Sequence, residues 1–268
     1  MSANRTRPLT RCLRLMRLTA HLAKGLGITL FKFRGMSKAA RDASIRRWSR
    51  QLLHILAVTI RKEELKDHLP ESCLIVANHI SWIDVFVLLA TAPAVFVAKS
   101  EIRSWPFLGT LCARAGTLFI ERGKRSSARH ARATVRAALT SGALVNVFPE
   151  GTTSDGHVLL PFHAALFQPA IDAHALIQPV ALRYTDSHGH YSSAPNFIGD
   201  TTFVSSVWSI VGAVHTIAEM NVLQPIAASG RERRELARAS QDAIAAALGV
   251  PVRGSRPGTS ADLPGESQ

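Results

Sequence analysis

His79 and Asp84, five positions apart, are the residues of this 268-residue chain best suited to move a proton. They lie in Ala77-Asn78-His79-Ile80-Ser81-Trp82-Ile83-Asp84, directly after the apolar run Cys73-Leu74-Ile75-Val76. That run reads as a short buried strand, and Trp82 to Leu89 reads as the start of a helix. An imidazole at the end of a core strand, with a carboxylate in the first turn of the next helix, is the arrangement of a general base and the acid that orients it. On one continuous helix the two side chains would point about 140° apart. His79 therefore has to sit in the bend before the helix, with Ser81 as the N-cap. The same residue types also suit a core-edge histidine and an aspartate that favours the helix dipole.

Three further clusters fall where strands end. Gly116-Thr117-Leu118-Phe119-Ile120-Glu121-Arg122 reads as a strand closing on an acid and an arginine. The planar fork of Arg122 matches a phosphate or carboxylate, although a surface ion pair uses the same residues. Phe148-Pro149-Glu150-Gly151-Thr152-Thr153-Ser154-Asp155-Gly156 reads as a strand end, a Pro-fixed turn and a loop of glycines and hydroxyls. Such a loop lets backbone N–H groups approach a ligand, and Glu150 would accept hydrogen bonds from a hydroxylated acceptor. In Leu176-Ile177-Gln178-Pro179-Val180-Ala181-Leu182, a proline inside a strand-like run predicts an edge strand or a bulge beside a pocket.

The elements that must position these residues alternate. Strands are expected at 73–77, 94–98, 117–120, 144–148 and 176–182. Helices are expected at 82–90, 105–114, 127–140, 162–173 and 231–248, with Gly249 ending the last. Alternation of this kind predicts an α/β fold with a central, largely parallel sheet flanked by helices. The apolar stretches 85–98 and 203–217 read as core, since neither is an uninterrupted apolar run of about 18 residues.

The N-terminal segment differs. The net charge is +13, and residues 1–50 hold thirteen Lys and Arg against the single acid Asp42, so nearly all of the excess lies there. Residues 8–23 suit an amphipathic helix with Leu9, Cys12, Leu13, Met16, Ala20 and Ala23 on one face and Arg7, Arg11 and Arg14 opposite. A second helix is expected over 38–60. An N-terminal amphipathic two-helix membrane anchor on an anionic surface fits this composition. A nucleic-acid arm fits less well, because large apolar residues recur at helical spacing and aromatics for base stacking are few. The expected division is an anchor over 1–62, an α/β domain over 63–250 and a Pro/Gly/Ser-rich disordered tail over 251–268.

Several chemistries lack a motif. Cys12, Cys73 and Cys112 are widely spaced and read as reduced thiols in a cytoplasmic setting. Asp186, His188 and His190 have metal-ligand residue types but a weak spacing, so no metal is expected. There is no G-x-S-x-G elbow, P-loop or G-x-G-x-x-G. The basic helical face of Arg129, Arg132 and Arg136 reads as solvated, or as a dock for an acidic carrier protein. A non-catalytic basic membrane- or nucleic-acid-binding protein remains the alternative of another class.

In this order the pieces resemble the glycerophospholipid acyltransferase family over about residues 72–182. Asn78-His79 through Asp84 matches its NHxxxxD block, and Gly116–Arg122 its GxxFIDR block, with Glu121 for the usual Asp. Phe148-Pro149-Glu150-Gly151-Thr152 matches FPEGT, and Pro179-Val180 resembles the last block. Lys99, Pro106 and Gly109 look like the stretch between the first two blocks. The resemblance implies acyl transfer from acyl-CoA or acyl carrier protein to a lysolipid hydroxyl, with no cofactor beyond that donor. His79 and Asp84 are then catalytic. Asn78, Lys99, Glu121, Arg122, Glu150, Gly151, Thr152 and Pro179 are then substrate-binding. It implies the N-terminal anchor as well, with the enzyme on the cytoplasmic face of the inner membrane. One departure bears on the acceptor: Thr153 stands where phosphatidate-forming members often carry arginine, and the Thr-Thr-Ser-Asp-Gly run resembles relatives that acylate lyso-ornithine lipid.

Overall fold

A computed structural model describes residues 6–61, 69, 72–104, 108–114, 116–120 and 125–254. At its centre lies β2 (Cys73–Ala77), whose five side chains are all buried. Ile75 and Ala77 pack into the core on one face of the sheet, and Leu74 and Val76 into the core on the other. A strand covered on both faces must be apolar at every position, which is why it reads as an unbroken run.

The other strands are β1 (Val58–Arg61), β3 (Val95–Lys99), β4 (Leu118–Ile120), β5 (Leu144–Val147), β6 (Leu176–Thr185), β7 (Thr216–Val222) and β8 (Ile226–Ala227). They lie in the order β1-β7-β6-β2-β5-β3-β4, with β8 also paired to β6. Every pairing is parallel except those of β6 with β7 and β8. One face carries α1 (Pro8–Gly27), α2 (Lys38–Ile55), α3 (Asp84–Thr91) and α7 (Phe203–Gly212). The other carries α5 (Arg125–Thr140), α6 (Gln168–Asp172) and α8 (Arg233–Leu248). The short α4 (Leu108–Arg114) packs against α1 and the π-helical turn that follows it.

Three expectations need correcting. The second helix stops at Ile55; Ala57 turns with φ 55°, and Val58–Arg61 joins β7 as an edge strand. Val58, Thr59 and Ile60 are β-branched and fit a pleated surface better than a helix. The helix expected at 162–173 is a 3₁₀ turn, Ala164–Phe167, followed by α6 with Pro169 in its first turn. Pro179 is on no edge, because β6 runs between β2 and β7. It lies where the partner of β6 changes from β8, paired up to Ile177, to β7, paired from Val180. At that gap a missing N–H is tolerated. Gly249 does end α8, in the left-handed conformation that glycine adopts without strain. The tail from residue 255 onward lies outside the described residues.

The N-terminal helix buries Leu18 in the core, with Leu15 and Leu22 packed beside it, and carries a second apolar face that the protein leaves open. Leu9, Leu13 and Met16 point outward, 71%, 42% and 63% exposed. Two of its arginines face the protein: Arg14 donates to the carbonyls of Val211, Ala213 and Val214 at the end of α7, and Arg11 lies 5.3 Å over the ring of Trp208. A guanidinium on the last carbonyls of a helix is favourable both as a hydrogen-bond donor and against the dipole. No helix among the described residues is long and apolar enough to cross a membrane.

Candidate active site

His79 occupies the bend between β2 and α3 and is held at four points. Its backbone N–H donates to Glu150 Oε1 at 2.7 Å, and its carbonyl accepts from Ser154 N at 2.8 Å. Its ring stacks on Phe148 with centroids 4.0 Å apart and planes 8° from parallel. Nδ1 lies 2.8 Å from Asp84 Oδ2. Three of these four contacts come from the loop after β5, which the parallel β2–β5 pairing delivers beside the end of β2.

Asp84 is fully buried and surrounded by donors. Ile80 N and Ser81 N donate to Oδ2 at 2.7 and 2.8 Å, and Tyr184 Oη donates to Oδ1 at 2.6 Å. The carboxylate thus fixes the bend that precedes its own helix; α3 has no side-chain N-cap, and Ser81, expected in that role, makes only a 3.5 Å hydroxyl contact with Ile83 N. Buried charge is tolerated only when its lone pairs are satisfied, and here four donors satisfy them. A carboxylate so placed accepts a hydrogen bond from Nδ1–H, which keeps the proton on Nδ1 and the lone pair on Nε2. The ring keeps 20% exposure, so that nitrogen is positioned to take a proton from a bound hydroxyl.

Tyr184 is not among the residues that the sequence singles out. Its strand outlasts the expected limit at 182, and the alternation Val180, Leu182, Tyr184 carries the phenol under α3. A buried tyrosine requires a partner for its hydroxyl, and that requirement is the available signal. Burial first, and the Asp84 charge second, hold the hydroxyl well above its ordinary pKa, so it stays a neutral donor.

The other expected site residues fall into different positions. Asn78 is buried, and its carboxamide is spent on Leu182: Nδ2 donates to the carbonyl at 3.0 Å, and Oδ1 accepts from the N–H at 2.7 Å. It ties β6 to the end of β2 instead of facing a ligand. Glu150 is also inward: its oxygens accept from His79 N and from Leu160 N, the latter at 3.0 Å, so it fixes the His79 peptide and the loop. Burial pushes its carboxyl up to about 7, against the opposing pull of those two N–H donors. Pro179 shares a strand face with Ile177 and Ala181, opposite to the face of Val180, Leu182 and Tyr184, so its ring is turned away from His79. Gly151 turns at φ 69°, a conformation that disfavours other residues, and presents the exposed Thr152 beside the loop that grips His79. The Thr153 hydroxyl donates to the carbonyl of Phe197. Lys99 closes β3, its main chain paired with Ile120. Glu121, Arg122 and Pro106 lie outside the described residues.

Behind Phe148 the surroundings turn apolar. Phe148 contacts Phe96 at 6.1 Å, and Phe96 lines a cavity of about 70 Å³ together with Ile28, Phe33, Trp48, Phe86 and Cys112. The α1–α2 hairpin forms one wall. Its two helices are clasped by His21 stacked on Trp48 at 4.6 Å, by His21 Nε2 on the Trp48 carbonyl, and by Trp48 Nε1 on the His21 carbonyl. Elsewhere, Asp186 Oδ1 accepts from His188 N and His190 N in a turn, and Arg132 forks onto Asp172 at 2.8 and 2.9 Å.

Comparison with known proteins shows the family and the fold to which the chain is similar. A family model described as Acyltransferase matches residues 58–183. A 1-acyl-sn-glycerol-3-phosphate acyltransferase of Neisseria meningitidis serogroup B is 39% identical over 79% of this chain and 82% of its own length. A lyso-ornithine lipid O-acyltransferase of Pseudomonas aeruginosa is 36% identical over 88% of this chain and 92% of its own length. Among solved structures, the 1-acyl-sn-glycerophosphate acyltransferase PlsC of Thermotoga maritima has the same fold, with a TM-score of 0.68 and 20% identity over 90% of this chain and 94% of that one.

Proposed function

Because the chain belongs to the acyltransferase family and is thereby an O-acyltransferase, we propose that it acylates the free hydroxyl of 1-acyl-sn-glycerol-3-phosphate, giving phosphatidic acid. The acyl donor is a thioester of coenzyme A or of acyl carrier protein. His79 Nε2 takes the hydroxyl proton as the oxygen attacks the thioester carbonyl. The C–O bond forms, the C–S bond breaks, and the departing thiolate receives the proton back from the imidazolium. Asp84 keeps Nδ1 protonated and supports the imidazolium meanwhile. The transfer balances with no cofactor. The observation that carries this reading is the 2.8 Å contact of His79 Nδ1 with a buried Asp84 that three further donors hold in place.

Gly151 and Thr152 border the acceptor, and the apolar cavity behind Phe148 takes part of an acyl chain. The outward Leu9, Leu13 and Met16 of α1 lie in the bilayer interface, on the cytoplasmic face of the inner membrane, with Arg17, Lys24, Arg46 and Arg47 at headgroup level. Purified protein with labelled acyl donor and lysophosphatidate tests the reading. His79→Ala should lower turnover by about 10²–10⁴-fold while folding and vesicle binding persist, and turnover retained in that variant would remove the mechanism.

Thr153 supports a second acceptor, lyso-ornithine lipid. Its hydroxyl is turned to the Phe197 carbonyl, and the loop from Phe148 to Asp155 offers no cationic side chain to a phosphate. The same assay with both acceptors side by side decides between them.

A further inference from the structure

Between α1 and α2 runs an open groove of about 740 Å³ whose walls are cationic. Arg17 and Lys24 line it from α1, and Arg46, Arg47, Arg50 and His54 from α2; no carboxylate lines it among the described residues. Arg50 also reaches back to the Ala90 carbonyl at 2.9 Å, which fixes that wall to α3. Cations gathered in one concavity repel each other, and an anion relieves the repulsion while accepting several charge-assisted hydrogen bonds. Guanidinium forks suit a phosphate in particular.

The neighbourhood of the groove identifies the rest of the ligand. Arg17 is one helical turn beyond Leu13, and Lys24 one turn beyond Ala20, so α1 carries the cations along the edge of its outward apolar face. A molecule seated there meets positive charge on one side and exposed Leu13 and Met16 on the other. A free anion or an acidic protein surface would leave that apolar face uncovered.

We propose that the groove between α1 and α2 binds the phosphate-bearing head of a net-anionic phospholipid, with the lipid chains along the outward face of α1. The proposal rests on the reading that α1 lies in a membrane surface, and it adds a defined headgroup site to that contact.

The test is co-sedimentation of the full chain with phosphatidylcholine vesicles, with and without phosphatidylglycerol, at fixed ionic strength. Wild type should bind the phosphatidylglycerol vesicles at least about tenfold more tightly. Changing Lys24→Gln, Arg46→Gln and Arg47→Gln together should abolish that preference and leave binding to phosphatidylcholine unchanged. Arg46→Lys with Arg47→Lys should keep most of it. Arg233→Gln with Arg234→Gln, on α8 across the sheet, should keep all of it. Circular dichroism and melting curves establish that each variant folds. Equal losses in the α8 variant would reduce the effect to net charge and overturn the site. Displacement by inorganic phosphate with no preference among vesicles would assign the groove to a free anion, and tighter binding of an acidic carrier protein than of vesicles would assign it to a protein; either overturns the lipid. Wild type that binds both vesicles alike sinks the groove alone. Wild type that ignores vesicles altogether sinks the membrane reading of α1 as well.

Discussion

Tyr184 Oη lies 2.6 Å from Asp84 Oδ1, on the opposite side of the carboxylate from His79. One buried carboxylate is therefore shared between β6, the strand beside β2, and the imidazole in the bend after β2. Tyr184→Phe leaves the packing nearly intact but removes one of the four donors that aim Asp84. Turnover should fall about tenfold with KM little changed, and stability should drop by about 1–3 kcal/mol from the unpaired oxygen. Asp84→Asn should cost about 10²–10⁴-fold, because its N–H₂ is placed among donors and no longer selects the tautomer. A Tyr184→Phe enzyme that melts earlier but turns over as wild type would make the tyrosine purely structural.

How far the sequence discloses this site follows from which contacts are local. The His79–Asp84 pair spans one bend, so the run Cys73–Val76 and the helix after it suffice to bring the two together. Glu150, Ser154 and Tyr184 reach the same bend through bonds that span 71 to 100 positions, and only the strand order β6-β2-β5 makes them neighbours. Residue type alone does not show which polar side chains beside the His79–Asp84 pair face inward: Asn78 and Glu150 look like ligand contacts, and backbone groups occupy both. The parallel core is legible because burial on both faces demands unbroken apolar runs. The helix-to-strand change at Ala57 is less so, since the apolar pattern runs straight through it; the β-branched run Val58-Thr59-Ile60 is the local signal, and the pairing with β7 completes it.

Glu150 gives the fold a pH signature. Burial raises its carboxyl from an ordinary 4.5 to about 7, so the folded state prefers the protonated acid. The stability from this group is full below pH 4.5, declines as pH rises toward 7, and is flat above. The decline amounts to as much as about 3 kcal/mol. Glu150→Gln, which does not titrate, should lack it. Melting temperatures of the two proteins compared across this range check the prediction; parallel curves would contradict it.

Gly25 permits the α1–α2 clasp. A Cβ there would lie 2.5 Å from Trp48 Nε1, the nitrogen that donates to the His21 carbonyl. Gly25→Ala must push the indole or the helix away, at a cost of about 1–3 kcal/mol. Because Trp48 also lines the apolar cavity, the variant should alter preference among acyl donors of different chain length as well as lower the melting temperature. A donor profile identical to wild type, with an unchanged melting temperature, would show that the hairpin yields freely.

Thr153 is the position at which the proposed choice between two acceptors is put to the test. Its side chain is half-buried and directed at the Phe197 carbonyl, next to the exposed Thr152. Pro149 opens the loop and fixes its path into Glu150. Thr153→Arg adds a guanidinium to a loop that otherwise carries no cation between Phe148 and Asp155. One charge-assisted bond to a phosphate is worth about 1.5–3 kcal/mol, so the ratio of turnover on lysophosphatidate to turnover on lyso-ornithine lipid should rise by about ten- to a hundredfold. The loss of the hydroxyl bond to Phe197 should lower stability by about 1 kcal/mol, and this separates from the acceptor effect because it acts on both substrates alike. Competition between the two acceptors for one labelled donor measures the ratio directly. A ratio unchanged by the arginine would mean that the acceptor head is read elsewhere than in this loop.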